Sequence, residues 1–225
     1  MYDRYVRGHM NNTKQLNIEY FSLQSLFWMT YCMVVGFSVT YLLSCGYSNS
    51  EAGYILASAN ICALILQPFF AELADRSKKI NAMSIFFVSI AIIFVCSIGL
   101  FFIGVRSVIL TLIYVVMITL ANAVIAFLTS VQFLMDTSKS KINFGLCRAG
   151  GSLCFAILSA AMGILIERIG MKSIPTALFI ITLLIIVLCM YITRHRIHIS
   201  QRTTNFATQK KSSSLLVFFK DNPKF

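Results

Sequence analysis

Long apolar runs separated by short polar stretches dominate the chain, and they set its architecture before any motif does. The runs cover about residues 20–44, 52–74, 80–103, 108–135, 149–166 and 174–193. Each approaches or exceeds the roughly 20 residues that a helix needs to cross a hydrocarbon core. None shows the polar stripe at helical period that a soluble helix presents to water. The pattern predicts an all-α integral membrane protein with six transmembrane helices. It divides the chain into a polar N-terminus (1–19), a six-helix bundle (20–193) and a basic segment (194–225).

Composition agrees: 58% of the 225 residues are hydrophobic, 12% are charged and the mean hydropathy is +0.79. The net charge of +11 matters through its distribution. Arg106, Arg168 and Lys172 fall in one set of alternate loops, and the other sixteen of the nineteen Lys and Arg fall in the N-terminus, the Asp75 loop, the stretch from Asp136 to Arg148 and the C-terminal segment. The positive-inside rule therefore places both termini in the cytoplasm. The basic tail reads as a topology determinant against anionic lipid, with no nucleic-acid partner. Residues 1–16 lack the apolar core and cleavage site of a signal peptide.

Seven cysteines show neither CxxC nor Cys/His ligand spacing, which argues for no metal and no disulfide framework. No cofactor is expected. A phosphate-cradling loop and a nucleophile elbow are also missing, so the sequence does not read as an enzyme.

The stretch from Asp136 to Ser152 holds a carboxylate, a basic turn and then Arg148, carried into the start of the fifth run. A guanidinium at the centre of a membrane helix costs about 2.5 to 3.5 kcal/mol, so Arg148 either reaches back to water or has a partner. The run that follows is rich in small residues. Ser152, Ala156 and Ala160 recur at four-residue spacing, as do Ser159 and Gly163, and this predicts close helix packing at the centre of the bundle.

Six spans with cytoplasmic termini and the loop Ala71-Glu72-Leu73-Ala74-Asp75-Arg76-Ser77-Lys78-Lys79 resemble the N-terminal half of a major facilitator superfamily transporter. The loop keeps the acid and following base of that family's motif; Ala71 and Lys78 replace its glycines. Leu64 to Ala71, Phe144 to Gly151 and Phe218 to Phe225 are similar to segments of the lactose permease-like oligosaccharide/proton symporters.

The resemblance implies proton-coupled uptake of a sugar or similar small polar solute by alternating access, in a bacterial cytoplasmic membrane. Arg148 would bind substrate hydroxyls, Asp75 and Arg76 would form a gating loop, and Gln132, Asn122 and Asn60 would line the cavity. Topology alone would instead make Arg148 a snorkelling anchor. Those symporters pair the arginine with a glutamate on helix four, where this chain has Thr129, Ser130 or Gln132. Either Asp136 serves as the charge partner, or the substrate differs, or the site is impaired.

The expected partners are the bilayer, protons, a small-molecule substrate, and either a C-terminal half or a second copy. Alone, the chain is expected to be an inactive half. Alternatives are a membrane scaffold or assembly protein, or a carrier of nucleosides or aromatic acids.

Overall fold

The computed structural model describes residues 2–76, 81–136 and 142–194. Among them there are eight α-helices and one π-helical turn, with no strand: α1 (Tyr2–Tyr31), the turn Cys32–Gly36, α2 (Ser38–Ser44), α3 (Asn49–Arg76), α4 (Ala82–Phe102), α5 (Val108–Ala123), α6 (Ile125–Met135), α7 (Phe144–Ile169) and α8 (Ser173–Ile192). Four helices, α3, α4, α7 and α8, are long and apolar enough to cross a membrane unbroken. Two bent pairs complete six spans. Residues 13–36 meet α2 at 41°, and α5 meets α6 at 44°. The architecture is all-helical with four to six spans, as the hydrophobic pattern predicts, and is consistent with the half of a major facilitator fold that the resemblance implies. The polar N-terminal residues extend the helix of the first span, since α1 begins at Tyr2.

Side chains placed by the local sequence start the helices. Ser48 and Glu51 form a reciprocal capping box on α3, with Ser48 N–H donating to Glu51 Oε2 at 2.9 Å and Glu51 N–H to Ser48 Oγ at 3.3 Å. Asn81, Ser107 and Asn143 cap α4, α5 and α7 by accepting from the backbone N–H three residues on. The Asn143 cap starts α7 five residues ahead of the apolar run, so Arg148 lies inside the helix. Gly170 ends α7 at φ 89°, a conformation that β-carbon crowding disfavours in other residues.

At the end of the bundle away from the N-terminus, Tyr47 ties two connections together. Its hydroxyl donates to Ser107 O at 2.7 Å, Arg106 N–H donates to Cys45 O at 2.9 Å, and the Arg106 side chain pairs with Glu51.

In the core α1 packs on α7 and α8, α3 on α5, and α4 on α8 and α5. α1 and α7 approach closely at a glycine pair. A β-carbon at Gly150 would meet the Phe21 ring at 2.0 Å; one at Gly151 would lie 2.5 Å from Trp28 Cδ1 and 3.3 Å from Gln24 O. Small residues are thus needed at the N-terminal part of α7. Beyond them the expectation of a central fifth helix is corrected: Ser152, Ala156, Ala160 and Gly163 are exposed, and only 17% of this span is buried, against 44% of α8. The small face of α7 is left open because α1 takes up the glycine pair and no described helix covers the remainder.

Gly151→Ala is expected to destabilise the bundle by about 1–3 kcal/mol, the usual cost of overpacking. Gly163→Ala, with nothing within 4 Å of its added carbon, is expected to stay within about 0.5 kcal/mol of wild type. Unfolding in mixed detergent micelles compares them.

Candidate substrate site

One face of α1 carries Tyr20, Gln24 and Trp28 at four-residue spacing, which stacks them along the helix. They form a continuous chain of hydrogen bonds. Trp28 Nε1–H donates to Gln24 Oε1 at 3.0 Å, Gln24 Nε2 donates to the Tyr20 hydroxyl at 2.8 Å, and that hydroxyl donates to Leu128 O of α6 at 2.8 Å. Tyr20 and Gln24 have no exposed surface, so the chain satisfies groups that would be costly to bury alone.

Arg148 closes the upper end of this chain. Its guanidinium carbon lies 4.0 Å from the centre of the Trp28 ring, a cation–π stack, and Nη1 donates to Ser152 Oγ at 2.8 Å. Among the described residues no carboxylate pairs with it. A guanidinium offers five donors in a planar fork, most of them unspent here. The site is cationic, aromatic on one side, and half-exposed.

A second cluster surrounds Asn122 at the break between α5 and α6. Tyr31 OH donates to Asn122 Oδ1 at 2.9 Å, Asn122 Nδ2 donates to Asn60 Oδ1 at 3.0 Å and to Ile118 O at 3.0 Å, and Gln67 Nε2 donates to Asn122 O at 3.1 Å. Tyr31 is the last residue before the π turn of the first span. The two bends are thus hydrogen-bonded to each other. The Trp28 and Tyr31 rings, 5.3 Å apart, join the two clusters.

The structure therefore brings Asn60 and Asn122 together and places Arg148 on the neighbouring cluster. Gln132 is half-buried on α6, and its side chain forms no hydrogen bond with either cluster among the described residues. Asp136 does not meet Arg148: its Oδ1 accepts from Ile142 N–H at 2.8 Å and so closes the turn between the fourth and fifth spans. Thr129 and Ser130 are exposed. Asp75 and Arg76 end α3; their side chains, like residues 77–80 and 195–225, lie outside the described residues.

Sequence reasoning passed over Tyr20, Gln24, Trp28, Tyr31 and Glu19. Glu19 is buried at the entry of the first span. A polar or amphipathic residue every fourth position in an apolar run was the available signal, together with the single tryptophan of the chain.

Tyr31→Phe is expected to cost about 0.6 kcal/mol, the typical worth of a hydrogen bond between membrane helices. Asn122→Leu should cost more, about 1–3 kcal/mol, because it leaves the Tyr31 and Asn60 side chains without this partner. Equal losses in the two variants, measured by reversible unfolding, would deny Asn122 its place as a hub.

Residues 15–222 match the model of the MFS_1-like family, whereas neither the curated proteins nor the solved structures give a match. The match takes in all six spans and both polar clusters. With apolar helices of this number and length, the chain belongs to the MFS_1-like family and is a multi-pass membrane protein of the transporter type.

Proposed function

We propose that the chain forms the N-terminal half of a secondary active transporter that takes up a small polar solute, a sugar or a molecule of similar hydrogen-bonding character, by alternating access. The observation that carries this reading is Arg148, stacked on Trp28 with most of its donors unspent. A planar fork above an aromatic face suits vicinal hydroxyls, which accept from the guanidinium while an apolar sugar face lies against a ring. Neutral amides and a hydroxyl of Tyr31, Asn60 and Asn122 continue the polar lining.

A carboxylate-bearing solute, such as an aromatic acid, is the second reading. It is favoured by the lack of an acidic partner for Arg148 among the described residues, since the substrate would then supply the counter-charge.

Alternating access needs a second body against which this one rocks. The open faces of α3 and α7 support its placement there: 17% of each span is buried, and α7 presents Ser152, Ala156, Ala160 and Gly163. A C-terminal half or a second copy would fill that role.

Uptake into proteoliposomes holding the assembled carrier tests the proposal with a panel of sugars, nucleosides and aromatic acids. Arg148→Lys should weaken apparent affinity for the transported solute by about ten- to a hundredfold, as expected for losing hydrogen bonds to a charged group. Absence of uptake across the whole panel would favour a scaffold instead.

A further inference from the structure

A cleft of about 440 Å³ opens between α4 and α8 at the end of the bundle that carries the N-terminus, and neither polar cluster touches it. Its walls are of two kinds. Val88 and Met190 are 55% and 51% exposed, and with Met83 and Phe87 they form an apolar trough along both helices. At its mouth stand Asn81, Ser84, Thr193 and Arg194. Asn81 is the N-cap of α4, and Arg194 lies two residues past the end of α8.

Both helices are membrane spans of high mean hydropathy, so the mouth sits at the membrane–water boundary and the trough runs toward the hydrocarbon. Arg194 is exposed and makes no hydrogen bond or ion pair among the described residues. A cation and hydroxyls at headgroup depth, above an apolar trough open to the bilayer, match the two ends of one molecule. A soluble anion would use only the mouth, and an apolar ligand only the trough.

We propose that this cleft is a binding site for an anionic phospholipid, with the phosphate on Arg194 and Thr193 and one acyl chain along Val88 and Met190. The trough continues in exposed apolar residues, Ile92 and Val95 on α4 and Val187 on α8, which extend the path of the chain. Bound there, the lipid would bridge the third and sixth spans on a face separate from the substrate site, and this assignment stands independently of the transport reading.

The test is native mass spectrometry of the full chain in detergent, with dioleoyl phosphatidylglycerol or dioleoyl phosphatidylcholine added at equal concentration. Wild type should retain the phosphatidylglycerol about fivefold more strongly, the preference expected of one arginine at a lipid surface. Arg194→Gln should erase that preference, and Val88→Trp, which fills the trough, should lower retention of both lipids. Circular dichroism checks that each variant keeps its helices. Equal retention of the two lipids by wild type would overturn the proposal, as would an unchanged preference in Arg194→Gln. Release of the lipid by inorganic phosphate would overturn it too, because the mouth would then act without the trough.

Discussion

The hydrogen bond between Tyr31 and Asn122 is the constraint on which the rest of the site depends. A membrane span that bends exposes backbone groups where no water can reach them, and bends persist only where neighbouring side chains satisfy those groups. Here two spans bend, by 41° and 44°, and the residue preceding one bend donates to a residue preceding the other at 2.9 Å. Gln67 takes the carbonyl of Asn122 itself. One polar knot therefore serves both irregularities, and π turns and broken helices of this kind are common where membrane proteins bind solutes.

From that knot α1 acts as the spine. It contacts α7 through the glycine pair, and α6 through the Tyr20 hydroxyl. Its polar face links Leu128 of the bent fourth span to Arg148 of the fifth through Tyr20, Gln24 and Trp28, with every step between 2.8 and 4.0 Å. Burial of these groups is tolerable because each donor has an acceptor. Gly151 contributes indirectly: its missing β-carbon is what lets the Trp28 ring lie close to α7, under the guanidinium four residues ahead of Ser152. A rearrangement at either bend would move Trp28, and with it the surface on which Arg148 rests. Packing and chemistry are thus coupled in one helix.

Much of the architecture was legible from residue pattern alone. Apolar runs near the length of a bilayer mark six spans, and the arginine carried into the fifth stood out because charge is rare there. The bends were not legible. The fourth span breaks at Val124 although residues 108–135 contain no proline or glycine, and what holds the break is a tertiary contact from Tyr31. Likewise, the nearness of Asp136 to Arg148 in sequence suggested a charge pair, yet a turn needed its carboxylate to accept from Ile142. The small residues of α7 illustrate a further limit. Spacing reveals that a face permits close approach, while only the arrangement of neighbours shows that α1 uses its first turns and leaves the remainder open.

The most direct measurement of the central claim uses Trp28, the one tryptophan, as its own probe. Quenching of its fluorescence by iodide and by caesium should be compared in the ligand-free protein reconstituted into neutral lipid. A ring stacked beneath a guanidinium in a water-accessible site should be quenched far better by the anion than by the cation, and Arg148→Gln should remove the difference. Protection from both ions, with quenching by brominated lipid chains instead, would place Trp28 against the bilayer and contradict the account.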